Sequence, residues 1–164
     1  MIPQAHRLCL ALHNIRSCHN VGSIFRTADA AGVSKIYLCG ETPSPIDRFG
    51  RNRKDIAKVS LGAEKTVEWE YVKDIQELLS IMKKEKYRVL ALELDQKAVD
   101  YRKAKAGKKT LLIVGNEVKG LPKEILRECD QILEIPMRGT KESLNVAVAA
   151  GVALFSLDFG IEKE

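Results

Sequence analysis

No apolar run in this chain approaches the ~18 residues that a membrane-crossing helix needs. The N-terminal stretch MIPQAHRLCLALHNIR has a short apolar run but no longer hydrophobic core and no small-residue cleavage site, so it does not read as a secretory signal. The four cysteines, Cys9, Cys18, Cys39 and Cys129, stand far apart; none forms a CxxC and none pairs with His at metal spacing. That removes the cysteine-based metal motifs and, with no export signal, points to reduced thiols in the cytoplasm. The histidines, His6, His13 and His19, all precede residue 20, so no Ser-His-Asp or Cys-His arrangement can be argued. Aromatics make up only 5% of the residues and none stands in an RNP-like array, which argues against a base-stacking platform. Two phosphate motifs are missing as well. Gly115-Asn-Glu-Val-Lys-Gly120 has the glycine spacing of a Walker loop, but Leu121-Pro122 stands where Lys-Ser/Thr is required. A dinucleotide fingerprint would need glycine at 117, where this chain has glutamate. A P-loop NTPase and a nicotinamide enzyme both lose ground on these points.

What is present suits one domain with a real core: 164 residues, 45% of them hydrophobic and 30% charged. Lys plus Arg number 27 against 22 Asp plus Glu, a net charge of +5 that is compatible with nucleic acid without demanding it. Distribution says more than the total. Arg48, Arg51, Arg53, Lys54 and Lys58 crowd one segment; Lys97, Arg102, Lys103, Lys105, Lys108 and Lys109 crowd another. Both lie in loop-like surroundings, where phosphate contacts are easily made. Solvated loops would show the same composition, with Asp47 and Asp55 partly neutralising the first.

The hydrophobic pattern predicts a short strand over Leu8–Leu12. A helix follows, with Asn20 as N-cap, an apolar stripe of Val21, Ile24, Phe25 and Ala28, and Gly32 past its end. Lys35–Cys39 reads as a second strand, so the first forty residues form a βαβ unit and imply a parallel sheet. Further on come a short helix over Asp55–Ser60 ended by Gly62, an extended piece at Trp69 and Tyr71, and an Asp74-capped helix with Ile75, Leu78, Leu79 and Met82 inward. Arg88–Leu94 is a buried strand, Asp95–Lys109 is polar and irregular, and Thr110–Val114 is apolar enough to be central. Pro122 opens a helix to Glu128, and Gln131–Ile135 is another strand. The last helix, from Ser143 to Leu157, is apolar all round and so calls for burial on all sides, which points to a second subunit. The class is α/β, a mostly parallel sheet with helices on both faces.

Two stretches organise this pattern: Leu111–Leu121 and Ile135–Val148. Each begins as a buried strand, breaks near a glycine, and runs through polar residues into a helix. Side by side, such strand ends present backbone N–H and C=O groups that could hold a small cofactor. Together with Asn14–Gly32, they resemble the three motifs of the TrmH (SpoU) family of SPOUT RNA methyltransferases: NIRSCHNVGSIFRTADAAG, LIVGNEVKGL and IPMRGTKESLNVAV, in that order.

The resemblance implies S-adenosylmethionine as methyl donor, a ribose 2′-hydroxyl of tRNA or rRNA as acceptor, no metal, a C-terminal trefoil knot and a homodimer formed through the last helix. It implies a cofactor pocket of Leu92, Gly115, Gly120, Ile135, Met137 and Leu144, acting through backbone groups and apolar contact with adenine. Arg26 matches the family's catalytic arginine, with Asn20, Glu117, Ser143 and Asn145 completing the site. On the expected helix Arg26 lies about 140° from Val21, off the core stripe; a surface ion pair with Asp29 is the plainer reading of its position. A guanidinium is essentially always protonated, so Arg26 suits RNA phosphate and a developing alkoxide better than a general base's role. Asn20, Ser143 and Asn145 are also residue types that simply cap helices. Residues 1–164 read as one SPOUT domain with no appended RNA-binding domain. A knotted RNA-binding protein without catalysis and a SPOUT base methyltransferase are the competing readings.

Overall fold

The computed structural model describes residues 5–157; residues 1–4 and 158–164 of the expected domain lie outside them. Seven strands form one sheet: β1 (Arg7–His13), β2 (Lys35–Cys39), β3 (Glu68–Val72), β4 (Arg88–Leu92), β5 (Val99–Asp100), β6 (Lys109–Gly115) and β7 (Gln131–Glu134). Their order is β3-β2-β1-β6-β4-β7-β5, and every pairing is parallel. The apolar strand expected to be central is β6, fourth of the seven. Six α-helices occur among the described residues: α1 (Cys18–Ala31), α2 (Lys54–Ser60), α3 (Ala63–Thr66), α4 (Ile75–Lys84), α5 (Lys123–Glu128) and α6 (Val146–Ser156).

Successive residues of a strand point to opposite faces, and the central strands use both. Leu8, Leu10, Leu12, Leu112 and Val114 enter one core with α1, α2 and α6; Cys9, Ala11, Leu111 and Ile113 enter the other with α4 and α5. Both faces of a parallel sheet are thereby covered. On α1 the stripe of Val21, Ile24, Phe25 and Ala28 is wholly buried. Burying Phe25 alone contributes about 2–3 kcal/mol. Gly22 lets α2 cross closely: a Cβ there would stand 2.7 Å from the Ile56 carbonyl oxygen. On the other side of α1, Gly151 of α6 packs against Thr27, where a Cβ would be 3.2 Å from Thr27 Cγ2.

Several expected boundaries shift, each for a physical reason. Helix α1 starts at Cys18, so its N-cap is Ser17, whose Oγ accepts from the Asn20 N–H (3.1 Å), and Asn20 itself lies inside the first turn. Gly32 ends α1 in the left-handed conformation, as the sequence predicts. Helix α2 is closed by Leu61 at φ 52°, and Gly62 (φ 93°) instead leads into α3. Strand β4 stops at Leu92, because the Glu93 side chain turns back to hold Leu94 N–H (2.9 Å). The segment expected to be irregular contains β5 and a 3-10 turn over Tyr101–Lys103. Helix α6 begins at Val146, three residues later than expected, since Asn145 Oδ1 caps it by accepting from Ala147 (2.9 Å) and Val148 (3.3 Å) N–H groups.

Candidate functional site

The C-terminal ends of β4, β6 and β7, three adjoining strands, open into a cavity of about 290 Å³. Leu92, Gly115, Gly120, Ile135, Met137 and Leu144, the six residues expected to hold a cofactor, all line it, and so do Glu117 and Ser143. Crevices at the carboxyl ends of parallel strands are the usual ligand position of such sheets. Among the lining residues, Leu92, Ile135, Met137 and Leu144 offer the apolar contact that a flat ring needs.

Packing within the loop also requires the two glycines. A Cβ on Gly115 would come within 2.7 Å of the Leu121 side chain, and one on Gly120 within 2.3 Å of Glu93 Oε2. Gly120 also has φ +67°, a conformation costly for other residues. Their smallness therefore lets the 115–121 loop fold tightly on itself and on β4, which in turn shapes the cavity. Asn116 Oδ1 accepts from the N–H groups of Val118 (2.9 Å) and Lys119 (2.8 Å), and Asn116 Nδ2 donates to Asn14 O (2.8 Å). Glu93 pins the end of the loop by accepting from Leu121 N–H at 2.8 Å. Sequence reading missed Glu93, since nothing local marks a carboxylate whose partner lies 28 residues away.

One polar chain joins the three motif segments. Asn145 Nδ2 donates to Asn20 Oδ1 (3.0 Å), and Asn20 Nδ2 donates to Glu117 Oε1 (3.2 Å). Glu117 also accepts from Ser17 N–H (3.2 Å) and Arg16 N–H (3.3 Å) at the start of α1. Partial burial pushes the Glu117 pKa up. Its hydrogen bonds, from its own N–H, Asn20 and the N–H groups of Ser17 and Arg16, outweigh that and leave it below the ordinary carboxylate value. Asn20 is buried, so its amide acts as a tie bar rather than a cap; Asn145 is both a cap and a tie.

Arg26 stands apart. It is exposed on α1, about 9 Å along the axis from Asn20 at 1.5 Å per residue, and it does not line the cavity. The ion pair with Asp29 does not form: Asp29 Oδ1 accepts from Thr66 Oγ1 (3.0 Å), and no side-chain partner of Arg26 occurs among the described residues. The cysteines offer no nucleophile here. Burial pushes the Cys39 and Cys129 thiols up to about 12, far from thiolate at neutral pH. No cluster of three or more potential metal ligands occurs among the described residues, and no helix among them is long and apolar enough to cross a membrane.

The charge of the lining is one-sided. Glu93, Glu117, Glu134 and Glu142 face the cavity with no lysine or arginine, in a chain of net charge +5. Such a wall disfavours a phosphate-bearing ligand and favours a cationic one.

Fold and cavity together define a parallel α/β domain with a strand-end pocket of a size suited to a small ligand. The family model of the SpoU rRNA Methylase family matches residues 7–155, and the chain belongs to that family. It is 33% identical over 142 residues to the tRNA (guanosine(18)-2'-O)-methyltransferase of Aquifex aeolicus, covering 87% of this chain and 64% of that protein. An AdoMet-bound rRNA methyltransferase from Sinorhizobium meliloti superposes with a TM-score of 0.84 at 33% identity, covering 95% of this chain and 57% of that one. A structure concerned with 2-OH methylation of C/U34 on tRNA superposes with a TM-score of 0.78 at 28% identity, covering 92% of this chain and 93% of that one. The chain spans 64% and 57% of the first two of these proteins.

Proposed function

We propose that this protein is an S-adenosylmethionine-dependent methyltransferase that modifies a ribose 2′-hydroxyl of tRNA or rRNA. The observation that carries the reading is the cavity: its lining combines apolar residues with four glutamates and no lysine or arginine. That lining suits a flat purine joined to a cationic sulfonium and ammonium, and it suits a dinucleotide poorly. The relative from Aquifex aeolicus is named for a ribose 2'-O transfer to tRNA, and the one from Sinorhizobium meliloti carries AdoMet.

When bound, S-adenosylmethionine supplies an electrophilic methyl group. The chain's residues must then hold an RNA ribose oxygen in line with it and keep that geometry fixed. Leu92, Ile135, Met137 and Leu144 would clasp the purine, and the 115–121 loop would support it from below. The Asn145–Asn20–Glu117 ties fix the three motif segments relative to one another, so these side chains position rather than react. Ser143, exposed at the cavity wall, is free to meet the ribose. Arg26 is unengaged and cationic; it would grip an RNA phosphate and stabilise charge growing on the 2′-oxygen. The hydroxyl proton leaves to solvent.

The protein acts as a homodimer in this reading. Leu144 (41% exposed), Val148 (53%) and Phe155 (65%) make an apolar stripe on and beside α6, which a second copy would cover. The trefoil knot belongs to the same family-based reading; it is supported by β7 inserting between β4 and β5 after the chain has left both.

Calorimetric titration with S-adenosylmethionine, and with NAD as control, tests the pocket. Saturable binding of the former alone is expected, followed by transfer of labelled methyl to bulk tRNA or rRNA and recovery of the label on ribose. Binding of NAD instead would overturn the assignment. Cofactor binding with label on a base would make the protein a base methyltransferase, and RNA binding without transfer would make it a non-catalytic RNA-binding protein.

A further inference from the structure

The segment 43–53 between β2 and α2 is a braced turn with an aromatic tip. Asp47 organises it: Oδ1 accepts from the N–H groups of Phe49 (2.8 Å) and Arg51 (3.0 Å), and Oδ2 accepts from Arg51 Nε (3.2 Å). Asp47 N–H donates to Arg51 O and Arg53 N–H to Pro45 O, both at 2.8 Å. Ile46 and Asn52 pair as an antiparallel bridge, and Gly50 at φ 76° closes the turn. The tip is therefore held by bonds made within the segment itself. On it sits Phe49, 66% exposed. The Arg48 guanidinium lies 4.8 Å and the Arg51 guanidinium 4.9 Å from its ring centroid.

An exposed phenylalanine on a rigid turn costs hydration and gains no core contact, so fold stability does not explain it. Its surroundings point to a polyanion. Arg48, Arg51, Arg53, Lys54 and Lys58 stand against Asp47 and Asp55 over this segment, and Asp47 is already spent on the turn. In each basic segment one arginine is paired locally, Arg51 with Asp47 and Arg102 with Asp100, and in the second Lys109 Nζ also donates to Glu85 O (3.2 Å). Two copies of this turn facing each other would repel.

We propose that the 47–51 turn binds an unpaired nucleotide of the RNA substrate, its base stacked on the Phe49–guanidinium cluster and its phosphate met by Arg48 and Arg51. This rests on the RNA-methyltransferase reading above. Bases stack on aromatic rings and on arginine planes alike, and such stacking tolerates any base. The turn therefore selects for single-stranded character, not for sequence. A lone phenylalanine between arginines does here what an aromatic array does in other RNA-binding modules, and counting aromatics along the sequence does not find it.

The test is fluorescence anisotropy with bulk tRNA and with a labelled single-stranded RNA 12-mer and its duplex, at one salt concentration. Circular dichroism confirms that each variant is folded. Phe49→Ala should weaken binding of tRNA and of the single strand about tenfold, while duplex binding changes little. Phe49→Trp should restore it. S-adenosylmethionine titration should be the same for all three proteins. If wild type binds RNA and Phe49→Ala binds it equally well, the proposal is overturned though the methyltransferase reading stands. If wild type binds no RNA, that reading fails and takes the proposal with it. If Phe49→Ala turns a dimer into a monomer in sedimentation, the turn is a subunit contact and the proposal is wrong.

Discussion

The strand-end cavity and the 47–51 turn are opposites in charge and in construction. The cavity presents four glutamates and no cation; the turn presents two guanidinium groups over a phenylalanine. The cavity is assembled from segments far apart in sequence, whereas the turn is closed by bonds spanning four residues or fewer apart from the Pro45–Arg53 link. A small net charge of +5 thus hides two separate surfaces, one suited to a cation and one to a polyanion. An enzyme that brings a cationic donor to a polyanionic acceptor gains from keeping the two apart until they meet at the reacting atoms.

The sharpest way to break this comparison is Arg26→Ala. Arg26 belongs to neither surface's bonded framework, so its loss should leave the thermal midpoint unchanged and lower methyl transfer about 100-fold or more. A variant with near wild-type turnover would remove Arg26 from the chemistry. Salt distinguishes the two surfaces next. If four phosphates are engaged, RNA affinity should fall by about a hundredfold between 50 and 200 mM salt, while S-adenosylmethionine affinity changes by less than about twofold, because its contacts are short-range and sheltered. Equal salt sensitivity in the two titrations would contradict the separation.

Asn20→Ala sharpens the picture of the cavity as a tied assembly. It removes both ties of a buried amide, and urea unfolding should show a loss of about 1–2 kcal/mol, with weaker cofactor binding as the motif segments loosen. The smallest effect concerns Glu117. Its carboxyl titrates below the ordinary value of 4.5 in the folded protein, so the unfolded chain binds the proton more tightly. The stability it contributes is therefore complete above about pH 4.5 and is lost as pH falls through the lower folded value. Glu117→Gln should cost about 1 kcal/mol at pH 7, since the group is well exposed, and should flatten the decline between pH 5 and pH 3 in urea midpoints. An unchanged acid-side slope would show that Glu117 is not the titrating tie.

Much of the fold was legible because it is written in short-range patterns. The apolar run Leu8–Leu12 specifies a buried strand, and the stripe of Val21, Ile24, Phe25 and Ala28 specifies a helix and its inward face. The six residues expected around a cofactor all line one space; five lie in the motif segments, and Leu92 ends β4. What failed to show were the long-range polar bonds. Ser17 and Asn20 are both good caps, and the choice between them lies with Glu117, about a hundred residues away, which binds Ser17 N–H and Asn20 Nδ2. The role of Glu93 was equally hidden. The Phe49 cluster escaped for the opposite reason: it is local, but a single aromatic carries no periodic signal. The last helix reads as buried on every side, yet within one chain Val148 and Phe155 remain exposed, as expected when part of an apolar helix faces outside its own domain.

The place of β6 has a consequence for how the chain is made. Leu10 pairs with Ile36 on one side and with Leu112 on the other. The first pairing becomes available once some forty residues have emerged from the ribosome; the second must wait until about a hundred and ten have. For that interval β1, whose residues Leu8–Leu12 are all buried in the finished protein, offers a bare hydrophobic edge to any passing strand. Closing such a long loop is also slow relative to local structure. Folding during synthesis should therefore proceed as a β1–α1–β2–β3 leaf whose bare edge passes to β4 when β6 arrives and is covered once β7 emerges, so that arrest before β7 yields a chain more prone to aggregate than arrest after it.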